Sequence, residues 1–551
     1  MITFEGLMEN FRFLILDVRG QVLATFDFLN EPNSALYDKI VARDDYIDNL
    51  KNIIENKCFS ELLGGRKLQK GEINKVRSMH IVAVNLERIA DFCVNIVRQV
   101  QYFRHFTFLH EFDYESHLLV IEEGLNHVLP AMEEHDVTLA LEICRAENSL
   151  DKMYKLTFGH IMDRLQSTTR DVQDLVTVLF IFRYLERIGD SLLNIGEAIL
   201  FAVIGEKIKI HQFQALQRNL SKSGFAGHLD EVDFQAIWGT RSGCRIGRVE
   251  KKDDHGLETA TGSIFKEGTQ AKIHGEKENL ERWDALFPGL VPKVFSYSED
   301  SVEGSASMLV EFLPGCTMDE VILSSESEIL ENACFILQET LASIWQSTLV
   351  PGPVRVNFIS QLRDRLEAVL QVHPRIMREE SVLNGTTIPS TVFLISSCRK
   401  LESELTAPFS IFIHGDMNCN NIVYDHGEQR VRYIDVYRSR MFDYVQDVSV
   451  FLVSNFRMPV FEAGLRERLE TVMDSFLHFA RAFAAEQKDS TFEVRLALAV
   501  ARSLCTSTRF ELDGSFARDM FNRAHYLFEN LAALDGSGVH EYVFPDRVLR
   551  A

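Results

Sequence analysis

Proline is nearly absent from the first half of this 551-residue chain, where Pro32 and Pro130 are the only two before Pro288. Proline interrupts helices, so its scarcity leaves long uninterrupted helices open there. The three tryptophans, Trp238, Trp283 and Trp345, all lie further on. The nine cysteines form no C-x-x-C pair, which removes the usual zinc-knuckle and disulfide patterns and leaves reduced thiols as the simplest reading. Basic charge is in deficit: 58 Lys and Arg stand against 80 Asp and Glu, a net charge of −22. That excludes nonspecific nucleic-acid binding and disfavours adhesion to an anionic membrane. The most apolar runs, "LVTVLFIF" (175–182) and "AILFAVIG" (198–205), are too short to span a bilayer, and the opening "MITFEGLMENFRFLILD" has no basic flank to make it a signal peptide. The expected location is the cytoplasm.

What is present divides into two textures. Apolar residues at three- and four-residue spacing predict helix after helix, for example Ile81, Val84, Ile89, Phe92 and Ile96, then Leu175, Val178, Leu179, Phe182 and Leu185. After the Gly/Ser-containing "LSKSGFAGHLD" (220–230), short segments such as "CRIGRVEKK", "GSIFKEG" and "ASMLVEFL" predict strands parted by glycine turns. A boundary is expected near 220–232. Helical patterns return from about 320.

The helical half repeats itself. "LERIADFCVNI" (86–96) and "LERIGDSLLNI" (185–195) agree at seven of eleven positions. Each copy carries acids four apart, Glu87 with Asp91 and Glu186 with Asp190, and an earlier helix in each repeat adds Asp44 with Asp48 and Glu147 with Asp151. Carboxylates at that spacing share a helix face and repel unless a cation lies between them. Such groups suit hard or borderline metal ions on facing helices, or else a solvated face paired with Arg88 and Arg187. The repeated E-x-x-x-D helices resemble the PhoU family of phosphate-regulation proteins. The resemblance implies two repeats of a three-helix bundle over 1–220 (about 1–110 and 111–220). It also implies metal clusters at Asp44, Asp48, Glu87 and Asp91 and at Glu147, Asp151, Glu186 and Asp190, and a regulator or adaptor with a protein partner. Whether each cluster forms within a repeat or between repeats is open.

The second half carries "IFIHGDMNCNNIVYD" (411–425), a polar loop between two apolar strands, followed by "VRYIDVY". Phosphoryl transfer needs a carboxylate beside the acceptor hydroxyl and oxygen ligands for Mg²⁺ on the phosphates. Asp416 suits the first role; Asn421 and Asp435 suit the second. With His414 and Gly415 they resemble the H-G-D-x-x-x-x-N loop of the aminoglycoside phosphotransferase and choline kinase family, whose fold is protein-kinase-like. The D-x-x-x-D of "FDYVQDVS" fits a family element that braces this loop, which makes Asp443 and Asp447 structural.

The resemblance implies a two-lobed α+β domain over 232–551, with a small lobe of about 232–315 and a large lobe of about 316–551. Gly239, Ser242 and Gly243 fall in the place of the phosphate-covering hairpin. Lys266 is the expected partner of the α- and β-phosphates, with Glu276 or Glu278 as its acid, and Glu311–Leu313 are expected near the adenine. Arg438 and Arg440 read first as surface charge and second as contacts for an anionic substrate.

The whole is expected to be multidomain, all-α bundles followed by the kinase-like domain. It would transfer phosphate from ATP (or GTP) with Mg²⁺ to a hydroxyl of a small molecule, its helical module sensing phosphate, metal or a protein. A non-catalytic nucleotide-binding scaffold in phosphate signalling is the alternative, and protein phosphorylation a third reading. Homodimerisation is compatible with all three.

Overall fold

The structure, a computed structural model, describes residues 4–63, 70–167, 171–204, 210–222, 232–236, 245–251, 262–300, 304–384, 386–534 and 538–550. The chain divides into two compact units, residues 1–267 with 296–298, and residues 268–295 with 299–551.

The first unit opens with α1 (Phe4–Asn30), α2 (Ser34–Leu63) and α3 (Lys70–Gln99), then α4 (Glu115–Glu134), α5 (Val137–Ser167) and α6 (Val172–Ile204). Each trio packs as a bundle, and α3 lies against α6 across the two. The repeated motif supplies that seam. Leu86, Ile89, Cys93 and Ile96 are buried on α3, and their counterparts Leu185, Ile188, Leu192 and Ile195 are buried on α6. Gly196 lets α5 come close, since a Cβ there would lie 2.8 Å from the Ala140 carbonyl oxygen. The stripe expected on α3 is present in part: Ile89 and Ile96 are buried, Val84 and Phe92 are half-buried, and Ile81 is exposed. α3 packs on α1, α2 and α6 together, which widens and turns its buried face. The stripe expected on α6 is present, with Leu175, Val178, Phe182 and Leu185 buried and Leu179 half-buried.

The unit continues through α7 (Ile210–Lys222) into the strands β1 (Val232–Ala236), β2 (Arg245–Lys251) and β3 (Ser263–Thr269). These pair antiparallel, with Val232 opposite Lys251 and Arg245 opposite Glu267.

The second unit contains α8 (Gln270–Leu286), the outer residues of β4 (Val294–Asp300), β5 (Ser305–Glu311), β6 (Cys316–Thr317), α9 (Met318–Ser324) and α10 (Ser327–Thr348). β7 (Val350–Arg355), α11 (Phe358–Val372), β8 (Ser381–Leu383), β9 (Thr386–Ile388) and α12 (Thr391–Glu404) follow. The chain then runs through β10 (Thr406–Ile413), β11 (Ile422–Asp425), β12 (Arg430–Tyr433) and β13 (Arg440–Phe442). It closes with α13 (Val445–Phe456), α14 (Ala463–Glu486), α15 (Phe492–Ser507) and α16 (Gly514–Ala532). β10 lies between β13 and β7, and β11 between β12 and β6, all antiparallel. The quoted loop thus leaves one small sheet and enters another.

Beneath it α13 is buried along its whole length, and α15 at every residue except Glu493 and Ser507. Aromatic rings pack around Tyr444, with Phe409 stacked at 5.6 Å and Trp345 at 5.1 Å. The Tyr444 hydroxyl donates to Asp489 at 3.0 Å. Fully buried Arg495 pairs with both Asp443 and Asp489. Such a triad holds only while all its charges are matched. Arg495→Met is therefore expected to destabilise the second unit by about 3–5 kcal/mol, read by chemical denaturation, because two buried carboxylates lose their cation. A change below about 1 kcal/mol would show that the triad is not the support described.

Candidate functional site

The loop after β10 is fixed by one carboxylate. Asp447, near the start of α13, accepts the backbone N–H of His414 at 2.7 Å on one oxygen and that of Gly415 at 2.8 Å on the other. Burial pushes its carboxyl up to about 7, opposed by those two donors. Gln446 donates from Nε2 to the Gly415 carbonyl at 3.1 Å, closing the grip. Gly415 has φ +82°, and a Cβ there would lie 2.7 Å from the Arg438 carbonyl carbon, so glycine is required on both counts. Asp443 points into the Arg495 triad, away from this grip.

His414 is buried and its pKa is lowered by burial. Its Nε2 lies 3.1 Å from the Ile434 carbonyl, and its Nδ1 accepts the Asp416 N–H at 3.3 Å. Those partners assign a neutral ring protonated on Nε2. The ring ties the loop to the hairpin that bears Asp435. Asn421 donates from Nδ2 to the Asp416 carbonyl at 2.9 Å, which leaves Oδ1 as its acceptor end. Asp435 has left-handed backbone, φ 58° and ψ 49°, at the start of the turn Val436–Arg438. An amide oxygen and a carboxylate are hard oxygen donors, a set that fits Mg²⁺ shared with phosphates. Asp416 is held on both oxygens: Asn418 donates to Oδ1 at 2.7 Å, and Arg438 Nη1 lies 2.9 Å from Oδ2.

Several supporting residues were not read from the sequence. On α8, Asn279 donates to the carbonyls of Val436 and Tyr437 at 2.9 and 3.0 Å. Trp283 donates to Ser439 Oγ at 2.8 Å, and Ser439 donates to the His414 carbonyl at 3.1 Å. A visible signal existed for one more, Arg502, which interrupts the apolar run "LALAVARSLC".

The other expected nucleotide residues are placed as follows. Lys266 is buried on β3 and Glu276 is buried on α8; they belong to the two different units. Glu311 accepts the Lys293 N–H at 3.2 Å and lies 3.9 Å from Arg432, so its side chain is a strut, and Leu313 is buried. Gly239, Ser242 and Gly243 lie outside the described residues.

In the first unit each acidic quartet gathers within its own repeat. Burial first, then Asp91 and Asp45, pushes Asp44 up to about 6, and burial with neighbouring carboxylates also raises Glu87 and Asp91. Lys51 reaches into this group, 3.2 Å from Asp48 and 3.8 Å from Glu87. In the second quartet Glu147 and Glu186 are raised in the same way. Lys155 binds Asp151 at 2.6 Å, Arg183 binds Glu186 at 2.7 Å and Arg187 binds Asp190 at 3.0 Å. Glu186 keeps a buried Oε2 without a hydrogen-bond partner. Among the described residues no three His, Cys, Asp or Glu side chains converge in metal-holding geometry. Basic side chains occupy the acidic groups instead, while the orphaned Glu186 oxygen fits a cation. No described helix is long and apolar enough to cross a membrane, and the described cysteines are free.

The PhoU domain family matches residues 15–100 and 118–199, and the phosphotransferase enzyme family matches residues 251–484. The phosphate-specific transport system accessory protein PhoU homolog of Clostridium acetobutylicum is 22% identical over 201 residues, 35% of this chain and 88% of its own. The PhoU protein of Serratia marcescens is 24% identical over 233 residues, 40% of this chain and 92% of its own. Among solved structures, PhoU from Pseudomonas aeruginosa covers 37% of this chain and 100% of its own at 22% identity and a TM-score of 0.33. The apo form of a thermostable mutant of aminoglycoside phosphotransferase APH(4)-Ia covers 55% of this chain and 94% of its own, at 16% identity and a TM-score of 0.36.

Two outcomes follow from this geometry. Asp447→Asn puts an amide NH₂ against one of two backbone N–H groups, a buried loss of about 1–3 kcal/mol. Lower thermal stability and loss of nucleotide-dependent activity are expected together, and a fully active variant would refute the clamp. For Asp44, the folded carboxyl binds its proton up to about pH 6 while the unfolded one releases it near 3.8. Stability from this group is therefore complete below the lower value and lost as pH rises through the higher one. Thermal melting in chelator is expected to rise as pH falls from about 7 to about 5, and Asp44→Asn to flatten that slope; the opposite slope would contradict it.

Proposed function

From a chain that joins a PhoU domain to a phosphotransferase-family domain, we propose a kinase that moves the γ-phosphoryl of ATP, or GTP, to a hydroxyl of a small molecule. The observation that carries this reading is the loop gripped by Asp447, which presents Asp416 and ties Asn421 to the Asp416 carbonyl. Asp416 orients the acceptor hydroxyl and accepts its proton as the oxygen attacks the γ-phosphorus. The bond from that phosphorus to the β,γ-bridging oxygen breaks and the nucleoside diphosphate leaves. Asn421 and Asp435 would hold Mg²⁺, which supplies charge neutralisation between the phosphates. Lys266, with Glu276 as its acid, serves the α- and β-phosphates, under a hairpin bearing Gly239, Ser242 and Gly243. Glu311–Leu313 border the adenine, and Glu311 offers its backbone carbonyl, because its side chain is engaged and its N–H is donated to the Lys293 carbonyl. Positioning and charge neutralisation supply most of the acceleration.

The first unit regulates this reaction in answer to phosphate status, through a protein partner or through metal ions at the two quartets. Asp44, Asp48, Glu87 and Asp91 would hold one ion, and Glu147, Asp151, Glu186 and Asp190 another. The work takes place in the cytoplasm, and the reading accommodates a homodimer.

One observation favours the scaffold reading: both oxygens of Asp416 are already engaged, by Asn418 and Arg438. A permanent engagement would make the domain a nucleotide sensor. Incubation with γ-labelled ATP, Mg²⁺ and a metabolite pool separates the two. Label is expected in a small molecule and is expected to drop by about 10²–10⁴ in Asp416→Asn, while nucleotide binding persists. Nucleotide binding with no label in any small molecule sinks the kinase reading.

A further inference from the structure

The reaction as described leaves a group of arginines without a use. Arg365 lies on α11, Arg502 on α15, Arg509 in the turn after it, and Arg438 and Arg440 follow Asp435. Separate chain segments bring them to the catalytic loop. Arg438 is on Asp416 itself. Arg502 is 2% exposed and donates to Ser449 Oγ at 3.3 Å, two residues beyond Asp447. Its guanidinium is 5.6 Å from the centre of the Phe358 ring, that ring meets Phe442 at 6.2 Å, and Arg440 lies 4.1 Å from the centre of Phe442. Two cations thus bracket one pair of rings beside the loop. His373 Nε2 contacts the carbonyls of Thr508 and Glu511 at 3.0 and 2.8 Å, which fixes the turn bearing Arg509.

The same helix contains its own control. Arg495 and Arg502 are seven residues apart on α15 and both are buried, yet Arg495 has two carboxylate partners and Arg502 has none among the described residues. Its Nε is buried without a hydrogen-bond partner. Arg365 and Arg509, half-buried, likewise make no ion pair among the described residues. Burial, then the Arg365 charge, pushes Arg502 down to about 9 and Arg509 down to about 10, and Asp416 is the carboxylate that opposes both shifts. α11 packs on α15 and on the turn that bears Arg509, which gathers these like charges in partly desolvated surroundings, an unfavourable arrangement unless an anion joins them. Guanidinium groups match phosphate and carboxylate oxygens in pairs.

We propose that the acceptor is itself an anion: a hydroxylated small molecule with a phosphate monoester or an equivalent dicarboxylate, held by Arg365, Arg509 and Arg438 above the buried charge of Arg502. The inference rests on the kinase reading and names its substrate class. Arrival of the dianion draws Arg438 off Asp416, which frees that carboxylate for the acceptor hydroxyl. The nucleotide phosphates, assigned to Asn421, Asp435 and Lys266, do not use this group.

The test supplies the full chain with γ-labelled ATP and Mg²⁺ and four acceptor pools: neutral polyols and sugars, aminoglycosides, hydroxy di- and tricarboxylates, and sugar and polyol phosphates. Label is expected in an anionic pool, and which of the two takes it identifies the source of charge. Arg365→Gln and Arg509→Gln are each expected to raise the KM for that acceptor about tenfold or more while the KM for ATP stays put, and Arg509→Lys to recover part of the loss. Label confined to neutral or cationic pools overturns the inference and spares the kinase reading, as does a KM change for ATP in place of the acceptor. If no pool is labelled, the kinase reading fails, and titration with inorganic phosphate judges the anion site by itself. Binding lost in the Arg365→Gln, Arg509→Gln double variant sustains that site, and binding unchanged overturns it.

Discussion

One carboxylate sets the geometry of the second unit. Asp447 holds two consecutive backbone N–H groups, those of His414 and Gly415, and so fixes where the loop leaves β10. Asp416, Asn421 and Asp435 all depend on that exit. Asp416 is the next residue, Asn421 bonds to its carbonyl, and His414 reaches across to the carbonyl before Asp435. A carboxylate buried this deeply is tolerable because both of its oxygens accept hydrogen bonds. The helix that carries it is buried throughout, so the grip is anchored in the core.

A second support arrives from α8. Asn279 and Trp283 bind the segment after Asp435, directly and through Ser439, and that relay returns to the His414 carbonyl. Loop and hairpin are thereby linked by side chains from three places in the sequence. Sites built this way keep catalytic groups oriented before substrate arrives, which is where most of the gain in phosphoryl transfer lies.

How much of this was legible beforehand varies with the range of the interaction. The helix runs, the duplication and the strand–loop–strand around Asp416 are local patterns, and the structure contains them. The stripe on α3 held at Ile89 and Ile96 and failed at Ile81, because burial there depends on three neighbouring helices, which periodicity alone does not reveal. Asn279, Ser439 and the arginines of α11 and α15 were missed for a similar reason: each is unremarkable in its own segment and gains meaning only beside residues about 25 to 160 positions away. Arg502 was the exception, a charge inside an otherwise apolar run, and it was readable as an anomaly before any fold was known.

The duplicated acidic groups of the first unit were read as equivalents, and their surroundings are not. Lys51 sits inside the first group, and the corresponding place in the second is filled by Tyr154, whose neighbour Lys155 binds Asp151 from an exposed position. The second group also keeps the unpartnered Glu186 oxygen. Two bundles related by sequence repetition therefore differ where charge is concentrated. The two groups are not interchangeable: a partner that reads charge meets one lysine shared between carboxylates in the first, and separate Lys and Arg partners with one carboxylate oxygen left over in the second.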